Sequence, residues 1–365
     1  MDSNIFFNMN FVCIRRHMTE FAIVYEKGEV SDGDLKRIAS FLNKMDIECK
    51  LYPESSILCK NGFVFFEDFR ADYVCVIGSD KIVLKTLLGL SNSEVPILSL
   101  YGRKSRGFFA IAGVDSFPDV VREIVSGNFV LDERIRLCAK VGDVILPSAL
   151  NELAIFSRES GSIMRYTLYI DGEIVWRDVS DGVIVATPTG STAYALSAGG
   201  PIVKDVDAFV IVSVNSLVPT HKPIVTSSDK IIHVGDLIKN ENVIVVDGQI
   251  RRTIDSDTIT VYRSKYKAKF LKINMENILD LDTRLSKRIG FKKPYLPLEG
   301  LPPSAKLVYK ILEYEGPLNR MELISRSGLP SRTVDYALNL LLSKGVIVRK
   351  QVDKDARMST YAILQ

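Results

Sequence analysis

The chain has 365 residues and a mass of 40.8 kDa, with 47% hydrophobic residues, 25% charged residues and a net charge of +3. That balance excludes a disorder-dominated chain and suits two or three globular domains. The longest apolar runs, such as Ala208 to Val214, fall far short of the ~18 residues needed to cross a bilayer, so no membrane association is expected.

At the N-terminus, Phe6, Phe7 and Phe11 precede the basic cluster Arg15, Arg16 and His17, the reverse of a secretory signal, and residues 1–18 read as a flexible tail. The five cysteines, Cys13, Cys49, Cys59, Cys75 and Cys138, are scattered and odd in number, with no CxxC pair. Neither a disulfide framework nor a zinc site is indicated, and a reducing cytoplasm is the expected compartment. His17, His221 and His233 fit no metal-ligand or triad pattern.

Phe21–Tyr25 (FAIVY) predicts a buried strand, and Ser31–Met45 a helix with Leu35, Ile38 and Leu42 at helical spacing. Tyr73–Ile77 predicts a second apolar strand ending at Gly78, Pro96–Leu100 a third, and Phe117–Ser126 another helix. Strand, helix, strand in that order begins a parallel sheet, so residues 19–134 are expected to form an α/β domain of nucleotide-binding type.

From 135 to 280 the chain changes to short β-like runs: 136–141, 152–157, 166–170, 174–175, 183–186, 209–214, 230–234, 243–246 and 258–262, with hairpin turns such as Asp171-Gly172 between them. An all-β, sandwich-like second domain is expected, with Trp176, Tyr166 and Tyr169 packed inside it. Within it lies DGVIVATPTGSTAYALSAGGP, Asp181 to Pro201. Its apolar run Val183–Val185 leads into Thr187, Pro188, Thr189, Gly190, Ser191, Thr192 and Ala193, small or turn-forming residues that leave main-chain donors and hydroxyls uncovered. Such a turn can hold a ribose, a phosphate or an amide, and Ser191 and Thr192 suit a helix start. An ordinary strand-to-loop connection has the same composition.

Residues 281–303, which include FKKPYLPLEGLPP, read as a stiff proline-rich linker. Beyond it, Ala305–Tyr314 predicts an amphipathic helix, Arg320–Ser327 a second, and Ser331 is expected to cap a third that runs to about Lys344. Val346–Lys350 and Met358–Leu364 predict a hairpin. Three helices and a two-stranded wing over 304–365 resemble a winged helix-turn-helix, an α+β fold. Residues 301–365 contain ten Lys or Arg against six Asp or Glu, a net of +4, so the excess positive charge lies in this tail. Arg332, Thr333, Tyr336 and Asn339 would face a DNA groove, with Arg349, Lys350, Lys354 and Arg357 on the wing. Winged helices also dock proteins, and that alternative stays open.

The Asp181–Pro201 segment resembles the signature of the NAD kinase family, whose DG, TPTGSTAY and SAGGP elements line a dinucleotide site. ALNE at Ala149–Glu152 and DGQ at Asp247–Gln249 match two further family motifs in the same order, and the resemblance spans approximately residues 19–275. It implies that Asn151 and Glu152, together with Thr189, Gly190, Ser191, Thr192, Ala193, Tyr194 and Ser197, hold NAD, and that Asp181 orients part of it. The family's GGDG phosphate loop corresponds to Gly78, Ser79, Asp80 and Lys81, in which the carboxylate survives and both later glycines are changed. Lys81 is expected to be strained at a position normally occupied by glycine, so that either its ammonium contributes a phosphate contact or the loop no longer cradles the donor triphosphate. Downstream, Gly102–Phe108 (GRKSRGF) departs from the family's glycine-rich NxGxLGF, and Arg103, Lys104 and Arg106 form either a solvated loop or a replacement phosphate clamp.

The implied activity is phosphoryl transfer from ATP or another donor, with Mg²⁺, to the 2′-hydroxyl of the adenosine ribose of NAD, giving NADP, with Asp80 as the catalytic carboxylate. No protein metal site is expected. The alternative is a catalytically impaired NAD(P)-sensing transcriptional regulator acting through the C-terminal domain. By analogy with the family, a homo-oligomer is expected.

Overall fold

A computed structural model describes residues 20–60, 63–66, 69–105, 107–159, 161–273, 301–351 and 359–363. The expected tail, all of the linker before Leu301, and Arg357 lie outside the described residues. The chain divides into two compact units, Met1–Ile278 and Leu279–Gln365.

The first unit opens with a seven-stranded sheet. Glu20–Tyr25, Tyr73–Ile77 and Ile97–Tyr101 run parallel side by side at its centre, with Glu48–Pro53 parallel at one edge. Their near-continuous apolar sequences suit a sheet covered on both faces. Helix α1, Asp32–Lys44, begins with a capping box in which Ser31 and Asp34 satisfy each other's backbone amides, and it buries Leu35, Ile38 and Leu42. Helices α2 (Asp80–Gly89) and α3 (Phe117–Val125) complete the layers. One strand of this sheet was not expected from its place in the chain. Ala268–Ile273, from the far end of the β-rich region, returns to lie between Ile97–Tyr101 and Phe129–Arg134. Its largely apolar sequence AKFLKI suits a strand, but which sheet it joins depends on long-range pairing.

The β-rich region forms two antiparallel six-stranded sheets. One has Glu152–Ser157 and Gly182–Ala186 at its centre, flanked by Ala208–Val214 and Asn242–Val246. The other carries Met164–Ile170 paired with Glu173–Ser180 at its edge. A single core joins these sheets to α2, with Leu84, Leu87, Leu88, Leu150, Leu153 and Phe209 among its buried members. Arg136, fully buried, supports the same junction by donating to the carbonyls of Leu87 (2.8 Å) and Ser148 (2.7 Å).

The second unit contains α5 (Pro303–Glu315), α6 (Arg320–Ser327) and α7 (Ser331–Ser343), numbered after the short α4 (Tyr194–Ser197) of the first unit. Leu318–Asn319 and the hairpin strands Ile347–Gln351 and Ser359–Ile363 form a three-stranded sheet. Ser331 is the first residue of α7 rather than its cap; Pro330 occupies the cap position, where its fixed φ starts the helix without a side-chain bond. Val308, Leu312, Leu323, Val334, Leu338 and Leu341 make the core of this unit.

Candidate active site

Two of the motifs singled out in the sequence are laced together by main-chain bonds. The Thr187 amide donates to the Asn151 carbonyl (2.9 Å), the Thr187 hydroxyl donates to the Leu150 carbonyl (2.5 Å), and the Gly190 amide donates to the Thr187 hydroxyl (3.1 Å). Gly190 lies so close to Asn151 that a Cβ on it would sit 1.9 Å from the Asn151 carbonyl oxygen. Its φ is not positive, so space rather than backbone freedom demands glycine here.

The third motif holds the second from beneath. Asp247 is fully enclosed, and its carboxylate accepts from the amides of Leu150 (2.8 Å), Asn151 (2.7 Å) and Glu152 (3.1 Å). Burial pushes its pKa up to about 6, while those three amides and the nearby Arg136 favour the charged form. Burial likewise pushes the Arg136 guanidinium down to about 10. Asp247 is thus the anchor of the Asn151–Glu152 turn. The sequence marked it as part of a motif without giving it this role.

The 190–197 segment is a short 3₁₀ turn followed by α4. Ser191 does not cap a helix as expected. Its hydroxyl donates to the Pro188 carbonyl (2.9 Å) and accepts from the Val203 amide (2.8 Å), which ties the turn to the chain beyond SAGGP. The Thr192 hydroxyl donates to the Thr189 carbonyl (3.0 Å). Gly190, Ser191, Thr192 and Ala193 are buried, Thr189 is partly so, and Tyr194 and Ser197 are exposed. Asn151 is buried, and its side-chain Oδ1 has no hydrogen-bond partner among the described residues. Such an acceptor is uncommon unless something else satisfies it.

Asp181 lies in a cleft of about 410 Å³ lined also by Phe156, Ser157, Tyr194, Asn215 and Arg251. The Asn215 side-chain amide donates to Asp181 Oδ2 (2.7 Å), and the Tyr194 ring lies 6.0 Å from that of Phe156.

The 78–81 loop forms a separate cluster at the end of Tyr73–Ile77. Gly78 has φ +152°, and a Cβ on it would lie 2.8 Å from the Glu26 side chain and 2.9 Å from Ile82, so it is the one loop position where glycine is required. Lys81 is not strained, contrary to expectation. It is an exposed residue in the first turn of α2, with no positive φ. Ser79 occupies the cap position of α2, and its amide (2.9 Å) and hydroxyl (2.7 Å) both donate to Glu26 Oε2. Asp80 does not cap the helix. Its Oδ1 accepts from the Phe109 amide (3.1 Å), and Gly107 packs against it so closely that a Cβ there would lie 2.7 Å away. Its Oδ2 has no hydrogen-bond partner among the described residues.

The basic 102–108 segment is also committed. The Lys104 and Ser105 amides donate to buried Glu29, and although burial works to raise the Glu29 pKa, these donors hold it below its ordinary value. Arg103 makes two bonds to Asp34 (3.0 and 2.8 Å), and this guanidinium holds the Asp34 carboxyl well below the usual carboxylate range. Arg103 is therefore a brace for the loop, and Lys104 is the exposed cation left on it; Arg106 lies outside the described residues. Among the described residues no group of three or more His, Cys, Asp or Glu side chains is arranged to hold a metal ion.

On the C-terminal unit, Arg332, Tyr336 and Asn339 lie exposed along one face of α7, and Thr333 is partly covered. Arg349 is exposed on the hairpin, which also carries Lys350. No helix among the described residues is long and apolar enough to cross a membrane.

The family model for the ATP-NAD kinase C-terminal domain matches residues 150–273. An NAD kinase of Methanothermobacter thermautotrophicus is 33% identical over 251 residues, which span 66% of this chain and 87% of the relative. The crystal structure of an NAD kinase from Archaeoglobus fulgidus in complex with ATP superposes with a TM-score of 0.59 at 28% identity, covering 73% of this chain and 98% of that one. Yeast NADH kinase, solved with NADH, shares the fold at a TM-score of 0.62 and 20% identity, covering 77% of this chain and 90% of its own. With the interlocked ALNE, TPTGSTAY and DGQ motifs placed as described, this chain belongs to the NAD kinase family.

Proposed function

We propose that this protein transfers a phosphoryl group from ATP to the 2′-hydroxyl of the adenosine ribose of NAD, giving NADP. The observation that carries the reading is buried Asn151, whose backbone is tied to Asp247 and to the Thr187–Gly190 turn and whose side-chain Oδ1 has no hydrogen-bond partner among the described residues. An acceptor fixed in that way suits a hydroxyl or amino group of the dinucleotide. Thr189, Gly190, Ser191, Thr192, Ala193, Tyr194 and Ser197 would form the walls around it, with Glu152 beside Asn151 and Asp181 at the far end.

Asp80 would take the proton of the attacking hydroxyl. One of its oxygens is fixed by the Phe109 amide, which leaves the other oriented and open. The 2′-oxygen bonds to the terminal phosphorus, the bond from that phosphorus to its bridging oxygen breaks, and ADP leaves. Positioning supplies most of the acceleration in such transfers. Gly78, Ser79 and Lys81 would meet the donor phosphates, Ser79 by exchanging the Glu26 carboxylate for phosphate oxygens. Any divalent cation would enter bound to the phosphates of the donor.

Retention of Asp80 and of the left-handed Gly78 argues for a working enzyme over an impaired NAD(P) sensor. A coupled assay for NADP formation from NAD, ATP and Mg²⁺, run beside Asp80→Asn, tests this. Turnover that is lost in the variant is expected; no turnover in either protein refutes the reading.

We also propose that the C-terminal unit is a winged helix. Its helix, strand, helix, helix, hairpin order supports that, and the exposed Arg332, Tyr336 and Asn339 on α7, with Arg349 and Lys350 on the hairpin, suit a DNA groove flanked by phosphates. Affinity for DNA that falls steeply with salt and on Arg332→Ala is the expected result, whereas salt-insensitive or absent binding would assign the unit to protein docking. The exposed Ile174 and Val175 on the edge strand Glu173–Ser180 are consistent with self-association into a homo-oligomer.

A further inference from the structure

We propose that Asp178 is a positioning residue for the acceptor substrate, holding Asn215, and through it Asp181, in the cleft where hydroxyl or amide groups of the dinucleotide are read. The inference rests on the NAD kinase reading above and extends it to a residue that does not touch the cleft.

Asp178 lies on the edge strand Glu173–Ser180, and its side chain is wholly buried. Its Oδ2 accepts from the hydroxyls of Tyr166 (3.0 Å) and Ser213 (2.6 Å). Its Oδ1 accepts from the Ser216 hydroxyl (2.6 Å) and the Val179 amide (2.8 Å), and His221 Nδ1 lies 3.2 Å away with its ring stacked on Trp176. A carboxylate taken out of water is costly unless its lone pairs are filled, and here they are. Two of these donors, Ser213 and Ser216, come from the facing sheet and its exit loop. They bracket Asn215.

Asn215 has φ +51°, a left-handed conformation that an asparagine tolerates but does not seek. That conformation aims its amide at Asp181 Oδ2, 2.7 Å away, while the Asp181 backbone amide is held by the Val214 carbonyl (2.9 Å). Asp181 and Asn215 both line the 410 Å³ cleft with Tyr194 and Arg251. The Ser216 hydroxyl further accepts from the Val218 amide (3.0 Å), and the Leu217 amide donates to the Val179 carbonyl (2.9 Å), so the bend cannot slide without breaking the grip on Asp178. A path of two hydrogen bonds joined by the Asn215–Ser216 backbone thus runs from a buried carboxylate to a half-buried one in the cleft. Its last member keeps one carboxylate oxygen without a hydrogen-bond partner among the described residues, available to a donor group on the ligand.

The test is steady-state kinetics and NAD calorimetry on the full chain for Asp178→Asn, Ser216→Ala, Asn215→Ala and the Asp178→Asn/Asn215→Ala double variant. Asp178→Asn is expected to raise the KM for NAD about tenfold with the KM for ATP unchanged, and Ser216→Ala to do so more weakly. The double variant should be no worse than Asn215→Ala alone, because both lie on one chain of bonds. Asp178→Asn that shifts both KM values together, or that adds its full effect to Asn215→Ala, overturns the proposal. So does unchanged NAD affinity in every variant, with wild-type binding intact. Wild-type protein that fails to bind NAD removes the acceptor reading itself, and this inference with it.

Discussion

Gly190→Ala is the sharpest perturbation of the dinucleotide site. Real Cβ atoms do not come within 3.0 Å of a neighbour, and here the new carbon would stand 1.9 Å from the Asn151 oxygen and 2.3 Å from its carbonyl carbon. Both neighbours are backbone, and Asp247 grips that backbone through three amides, so no flexible side chain can give way. The turn must therefore retreat by about 1 Å in a close-packed region, which breaks the Thr187 amide bond to Asn151. Loss of that bond and of the Gly190–Thr187 bond is worth about 1 kcal/mol each, and overpacking adds about 1 to 3 kcal/mol, for a total of about 3 to 5 kcal/mol. A displacement of that size at a positioning element costs on the order of 100-fold in turnover efficiency. Urea denaturation should show the lower stability, and kinetics at low temperature, where the variant stays folded, should show kcat/KM for NAD reduced on the order of 100-fold. A folded variant with wild-type KM and kcat for NAD would refute the claim that the two motifs form one surface.

Two further outcomes follow from the phosphate side and its braces. Glu26→Gln keeps an acceptor for Ser79 but removes a negative charge beside the loop, so the KM for ATP should fall by about 3- to 10-fold with the KM for NAD unchanged; an unchanged or higher KM for ATP would place the triphosphate elsewhere. Asp34, held low by Arg103, contributes stability that is present above its unfolded pKa and lost as pH falls through its depressed folded value, whereas Asp247, raised to about 6, contributes stability present below its unfolded value near 3.8 and lost as pH rises through about 6. Asp34→Asn should therefore flatten the acid limb of a denaturation-against-pH curve below about pH 4 and leave the limb between about 4 and 6 in place; an unaltered acid limb would refute the Arg103 brace.

Much of the architecture was legible residue by residue. Tyr73–Ile77, Glu152–Ser157 and Arg320–Ser327 form with both ends where the apolar runs and turn residues place them, because each is bounded by local chemistry, such as Gly78 in the first and the Asn319 capping box in the third. The order of motifs likewise pointed to the family, and of the residues it singled out Asp181 and Tyr194 line the cleft. Strand Ala268–Ile273 was invisible as a member of the first sheet, since its pattern of sides is the same whichever sheet accepts it.

What the sequence determined by itself was the local material: a glycine where a turn needs one, small hydroxyl residues in a row, a carboxylate at the start of α2. The tertiary structure decided which groups remain available. It tied Arg103 to Asp34, relieved Lys81 of strain by placing it in a helix, gave Ser79 to Glu26, and set Asp247 under a turn 97 residues away. Hydrogen bonds between distant segments depend on how sheets pair and stack, and neither spacing nor composition along the chain carries that information.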